Sequence, residues 1–80
     1  MNKYKNFLIN WICEKKGLEK ESIKSDVNMF ENDYIDSLGF FGLLMDLEME
    51  FDITLDENDI LDHNASTIEG LVNILIKKGS

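Results

Sequence analysis

Apolar residues Tyr4, Phe7, Leu8, Trp11 and Ile12 recur at three- and four-residue intervals, which at about 100° per residue places them on one face of a helix. Gly17 follows where a left-handed C-terminal cap would sit, so the pattern predicts a first helix over residues 2–16. Cys13 projects away from that stripe and reads either as a partly exposed thiol or as a small filler against a loop. Over residues 18–36 the period is lost, although Leu18, Ile23, Val27, Met29, Phe30, Tyr34 and Ile35 appear at irregular intervals. That spacing predicts a long loop pinned onto a core. Loops of this length inside a compact domain are uncommon and often functional.

From Ser37 to Phe51 the helical period returns with two apolar faces instead of one. Phe40, Leu43, Leu44, Leu47 and Phe51 form a core stripe, while Leu38, Phe41, Met45 and Met49 form a second stripe with Asp46, Glu48 and Glu50 in the gaps. A small bundle buries one face. The other must pack beneath the long loop or stay exposed as a docking strip, for which methionines are well suited. After Phe51, Ile53 and Leu55 alternate as anchors, residues 56–62 predict a short third helix, and Ser66 with Glu69 reads as a capping box opening a last helix on Ile68, Leu71, Val72 and Leu75. Gly79, after Lys77 and Lys78, is its stop. The expected fold is all-α: a four-helix bundle with three longer helices, one short third helix and a long loop between the first two, in a single domain over residues 1–80.

Charge changes the picture more than length does. The 80 residues carry 16 Asp and Glu against 8 Lys and no Arg, a net charge of -8. The segment 25–76 holds 13 acids and no Lys or Arg, whereas residues 1–24 hold six Lys and three Glu. Nucleic acid and anionic membrane surfaces are poor partners for such a chain, because both need a basic face. The long acidic stretch is either a solvated face or a means of steering towards basic partners. A lone cysteine forms no internal bridge, so helix packing must supply the stability. A calcium loop counted from Asp56 fails, with Leu61 where the glycine belongs and Thr67 where the closing Glu belongs. No metal site is expected. Nor is catalysis: the single His63 lies in a turn between Asp62 and Asn64, and no nucleophile shares an element with a base. The apolar residues near the N-terminus lack an export signal's layout, and no apolar run is long enough to span a bilayer, so a cytoplasmic, monomeric protein is expected.

Ser37, preceded by Asp36, stands where the loop meets the double-faced helix. A hydroxyl at a helix N-terminus is ordinarily a cap, yet free backbone N–H groups and the dipole there also suit a phosphodiester. Asp36-Ser37-Leu38, opening an apolar-acidic helix after a helix and a long loop and before a short helix and a capped final one, resembles the acyl carrier proteins over essentially the whole chain. The resemblance implies that a phosphopantetheinyl transferase attaches 4'-phosphopantetheine from coenzyme A to Ser37, beside Asp36. The carrier itself is non-catalytic and presents thioester-bound groups to partner enzymes. It further implies docking on basic patches through residues one, four and eight positions after the serine, which are Leu38, Phe41 and Met45. These coincide with the second stripe, so Leu38, Phe41, Met45 and Met49, flanked by Asp36, Asp46, Glu48 and Glu50, are the expected docking strip.

Carriers of fatty-acid synthesis usually show Leu-Gly-Ala before the Asp-Ser-Leu string and acids two and five positions after the serine. This chain has Asp33-Tyr34-Ile35, then Gly39 and Gly42. The stretch from Phe30 to Gly39 is more similar to discrete aminoacyl carriers of the D-alanyl type, loaded by an ATP-dependent ligase. A specialised pathway is therefore expected, served by acyl or aminoacyl ligases and transferases. An unmodified acidic adaptor that binds a basic protein through the same strip is the alternative.

Overall fold

The computed structural model describes residues 3–79. Four helices run in chain order, α1 (Lys3–Lys16), α2 (Ser37–Phe51), α3 (Glu57–Leu61) and α4 (Ile68–Gly79), with 3-10 turns at Lys20–Ser22 and His63–Ser66. Among the described residues there is no strand, only an isolated bridge between Asn28 and Thr67. This is the expected all-α arrangement. Residue 2, the expected start of the first helix, lies outside the described residues.

Each long helix buries the stripe its period sets out. Tyr4, Leu8 and Ile12 of α1 meet Phe40, Leu43, Leu44 and Leu47 of α2 and Ile68, Leu71, Val72 and Leu75 of α4 in one core, with Leu8, Ile12, Leu43, Leu47, Ile68, Leu71 and Leu75 essentially solvent-free. No polar or charged residue is buried among those described, so the interior carries no desolvation penalty of that kind. Phe51 closes one end, its ring edge-to-face with Tyr4 at 4.8 Å and with Phe7 at 5.4 Å. Cys13 is half-buried and packs against the core, the role of a small filler. Gly17 adopts φ +69 and donates its N–H to the Cys13 carbonyl at 2.8 Å, the left-handed cap its position predicts.

The long connection is tied down by hydrogen bonds to the far end of the chain. Met29 is fully buried and donates its N–H to the Ser66 carbonyl at 2.7 Å, and the Ser25 carbonyl accepts from Glu69 N at 3.0 Å. Asn28 Oδ1 accepts from the N–H groups of Phe30 and Glu31 at 2.8 and 3.0 Å and fixes the turn that follows. Tyr34 reaches back across the loop, accepting from Lys24 N and donating to the Ser22 carbonyl.

These ties correct the expected start of the last helix. Ser66 and Glu69 form no capping box: Ser66 lies in a 3-10 turn with its hydroxyl donated to the His63 carbonyl, and the Glu69 N–H is taken by Ser25. The cap is Thr67, whose Oγ1 accepts from Gly70 N at 3.0 Å. A reciprocal box does open α3, where Asp56 accepts from Asp59 N and Asp59 accepts from Asp56 N, both at 3.0 Å. Lys78 of α4 joins it, with Nζ 2.8 Å from Asp59 and 3.3 Å from Asp56. The backbone N–H of Asp59, followed by Lys78, holds the Asp56 carboxyl below its ordinary range, and hydrogen bonds to Asp59 and then Asp56 push the Lys78 ammonium above its own.

Candidate functional site

Helix α2 begins at a serine that does not cap it. Asp36 is the N-cap, in extended conformation, and its Oδ1 accepts from Gly39 N at 2.7 Å while its carbonyl accepts from Phe40 N at 2.8 Å. Ser37 is thereby the first helical residue, exposed, and no described side-chain hydrogen bond engages its hydroxyl. The ordinary explanation for a serine here, capping, is supplied by its neighbour. Behind it, Tyr34 and Ile35 are buried at 8% and 3% exposure, so the exposed hydroxyl stands on an anchored support.

Three faces of α2 do three different things. Phe40, Leu43, Leu44 and Leu47 face the core. Leu38, Phe41, Met45 and Met49 point to solvent, at 85, 53, 63 and 82% exposure, so the second stripe is not covered by the loop. Four large apolar side chains in helical register from the first turn to the last make a continuous apolar ridge beginning one residue after Ser37. Gly39, Gly42 and Asp46 form the third face, turned to α1, where Trp11 Nε1 donates to Asp46 Oδ2 at 2.7 Å and both glycines approach the indole ring.

The acidic residues expected to flank the ridge are not equally free. Asp36 is engaged as the cap and Asp46 by Trp11, though both remain exposed to an approaching cation. Glu50 is exposed on the last turn. Glu48 is half-buried and its Oε2 accepts from Leu55 N at 2.8 Å, which fixes the turn into α3. This tie spans Asp52, where the chain turns after Phe51 as expected, in a left-handed conformation. No helix among the described residues is long and apolar enough to cross a membrane.

The structure thus sets an exposed serine hydroxyl at the start of α2, beside an exposed apolar ridge. Comparison with known proteins gives that arrangement its class. The family described as "Phosphopantetheine attachment site" matches residues 6–75. The chain is 31% identical over 67 residues to an acyl carrier protein of Chlorobium phaeobacteroides, covering 84% of this chain and 83% of that one. It is 30% identical over 67 residues to an acyl carrier protein of Thermotoga maritima, covering 84% and 80%. For an acyl carrier protein of Cyanophora paradoxa the identity is 29% over 72 residues, covering 90% and 68%. The chain belongs to the acyl carrier protein family, whose prosthetic group is 4'-phosphopantetheine.

Proposed function

We propose that this protein holds acyl or aminoacyl groups as thioesters on 4'-phosphopantetheine attached to Ser37 and presents them to enzymes of a specialised pathway. The observation that carries the reading is the hydroxyl itself: Asp36 does the capping, which leaves Ser37 Oγ exposed and without a hydrogen-bond partner among the described residues, in the first turn of α2. Attachment consumes coenzyme A. The Ser37 oxygen gains a phosphodiester bond and loses its proton, the pyrophosphate bond of coenzyme A breaks, and the nucleotide half departs. The amino-terminal end of α2 favours the resulting negative charge. The prosthetic group supplies the thiol that bears the cargo. The chain's own residues supply a fixed point of attachment and a surface for recognition.

Leu38, Phe41, Met45 and Met49 form the surface offered to a phosphopantetheinyl transferase and to ligases and transferases, with Asp36, Asp46 and Glu50 facing basic groups of those partners; Glu48 contributes charge from its place in the turn. The whole of residues 1–80 acts as one carrier domain, non-catalytic and monomeric. Gly39 and Gly42 stand where carriers of fatty-acid synthesis have acids, which supports a partner set outside housekeeping fatty-acid synthesis, with a D-alanyl-type aminoacyl carrier as the finer reading.

Loading tests this directly. The phosphopantetheinylated protein is offered to adenylating ligases for amino acids and for fatty acids, and hydroxylamine-labile adducts are measured. Loading with an amino acid supports the aminoacyl reading. Loading by fatty-acid synthesis enzymes alone overturns the specialised one. Hydroxylamine-labile adducts on the Ser37→Ala variant would sink the thioester assignment altogether.

A further inference from the structure

A groove of about 400 Å³ runs between α1 and α2 beside Ser37, lined by Trp11, Lys15 and Lys16 from one helix and by Leu38, Gly39 and Gly42 from the other. The Trp11 indole is held in place from two directions, by the hydrogen bond to Asp46 and by the Lys15 ammonium 5.4 Å from the ring centroid. Gly39 has a local reason to be glycine. A Cβ there would sit 3.1 Å from Asp36 Oδ1 and 3.3 Å from Ile35 Cγ1, crowding the cap.

Gly42 has none. Its backbone is helical with no positive φ, and a Cβ would meet only Trp11 Cζ2, at an ordinary contact distance of 3.9 Å. Glycine in a helix interior costs about 1 kcal/mol relative to alanine, and the fold draws nothing from it here. What a side chain at this position would remove is the floor of the groove.

We propose that the 4'-phosphopantetheine arm, once attached to Ser37, lies in this groove, its pantetheine portion across Gly42 and against the Trp11 indole and its phosphodiester facing Lys15 and Lys16. The inference rests on the reading of Ser37 as the attachment point. The groove is continuous with that point, because Asp36 and Leu38, on either side of Ser37, both line it. Helical rise puts Gly42 only about 7.5 Å along the axis from Ser37, a short reach for a flexible arm. The charges complement each other as well. The last turn of α1 brings two ammonium groups to the acidic half of the chain, where Lys16 pairs with an exposed Asp33 carboxylate at 3.9 Å, a weak pairing that an anionic phosphodiester can displace. Planar amides of the arm suit the face of an immobilised indole.

Amide NMR and tryptophan emission of the apo and phosphopantetheinylated proteins test it, with intact mass recording modification in each sample. Trp11 is the chain's single tryptophan, so the emission reports on the surroundings of that one indole, and the Lys15 and Gly42 amides tell the groove from the opposite side of the ring. Attachment is expected to shift the Trp11 indole N–H and the amides of Lys15 and Gly42 and to change the emission. Gly42→Leu, which fills the groove, is expected to take up the arm yet lose the Trp11 response, and Gly42→Ala, which keeps the helix, to reduce it. A modified wild type whose shifts stop at the neighbours of Ser37 or centre on α3 overturns the inference. So does a full Trp11 response in folded, modified Gly42→Leu. Absence of the mass gain overturns the Ser37 reading instead, and this proposal with it.

Discussion

Replacing Gly42 by alanine should make the protein more stable. The helix-propensity gain is about 0.8–1 kcal/mol, and the new methyl group settles against Trp11 Cζ2 at 3.9 Å without displacing it. For a domain of 60–100 residues, 1 kcal/mol moves the thermal midpoint by roughly 4–8 °C, so a rise of about that size is expected. Gly70 provides the opposite control. A Cβ on Gly70 would run into the Asn64 carbonyl, where the 63–66 turn crosses the first turn of α4, and backbone has no rotamer with which to yield. Gly70→Ala should therefore lose about 1–3 kcal/mol despite the same propensity gain. Urea and thermal unfolding by far-UV circular dichroism, read on the apo protein, compare the variants directly. A Gly42→Ala variant less stable than wild type would refute the reasoning, because it would mean that the close approach of α1 and α2 itself requires glycine.

Other expectations follow from single contacts. Asp36→Ala removes the α2 cap and should cost about 1 kcal/mol in urea unfolding, with Asp36→Asn nearly neutral; equal losses would show that charge and not the Gly39 N–H bond matters. Phe41→Glu changes a half-exposed ridge residue and should leave the melting curve within about 0.5 kcal/mol of wild type while weakening partner binding at least about tenfold; unaltered affinity would remove Phe41 from the docking surface. Asp56→Asn keeps the α3 cap but loses the 3.3 Å pairing with Lys78, which retains Asp59 at 2.8 Å. Because Asp56 titrates below its ordinary value when folded, its share of stability is present above the unfolded pKa, near pH 4, and lost as pH falls through the folded one. The raised Lys78 makes its share complete below its unfolded pKa and lost as pH rises through the folded one. The stability difference between wild type and Asp56→Asn should thus be widest near neutrality and narrow at both extremes, and a gap that stays constant as pH falls into the acid range would contradict the account of the Asp56 carboxylate.

What could be read from the chain alone was whatever a helical period or a local cap encodes. The two faces of α2 were legible because Leu38, Phe41, Met45 and Met49 repeat at the same three- and four-residue spacing as the core residues, and the structure leaves that stripe exposed. Gly17 was legible because a left-handed cap is a one-residue signal. The start of α4 was not, because Ser66 and Thr67 are equally good caps and the choice is made by Met29 and Ser25, residues far away in the chain whose backbone groups bond to Ser66 and Glu69. The α3 box was missed for a smaller reason: Asp56 and Asp59 stand at the right spacing, but aspartate replaces the longer acid the motif usually carries. Trp11 and Asp46 lie 35 residues apart, and nothing local pairs them. The α1–α2 groove is invisible without that contact.

Attachment at Ser37 is the central claim, and top-down mass spectrometry tests it most directly. The protein and its Ser37→Ala variant are incubated with coenzyme A, magnesium and a broad-specificity phosphopantetheinyl transferase, then weighed intact and fragmented. Residues 25–76 contain no lysine or arginine, so tryptic digestion cannot separate Ser25, Ser37 and Ser66, and fragmentation of the whole chain can. One added phosphopantetheine located at Ser37 in the wild type, with none in a folded Ser37→Ala protein, is the predicted result. An unmodified wild type alongside a control carrier that the same transferase converts would contradict the account and leave an acidic helical adaptor in its place, and a gain that persists in the variant would contradict it by moving the attachment to another residue.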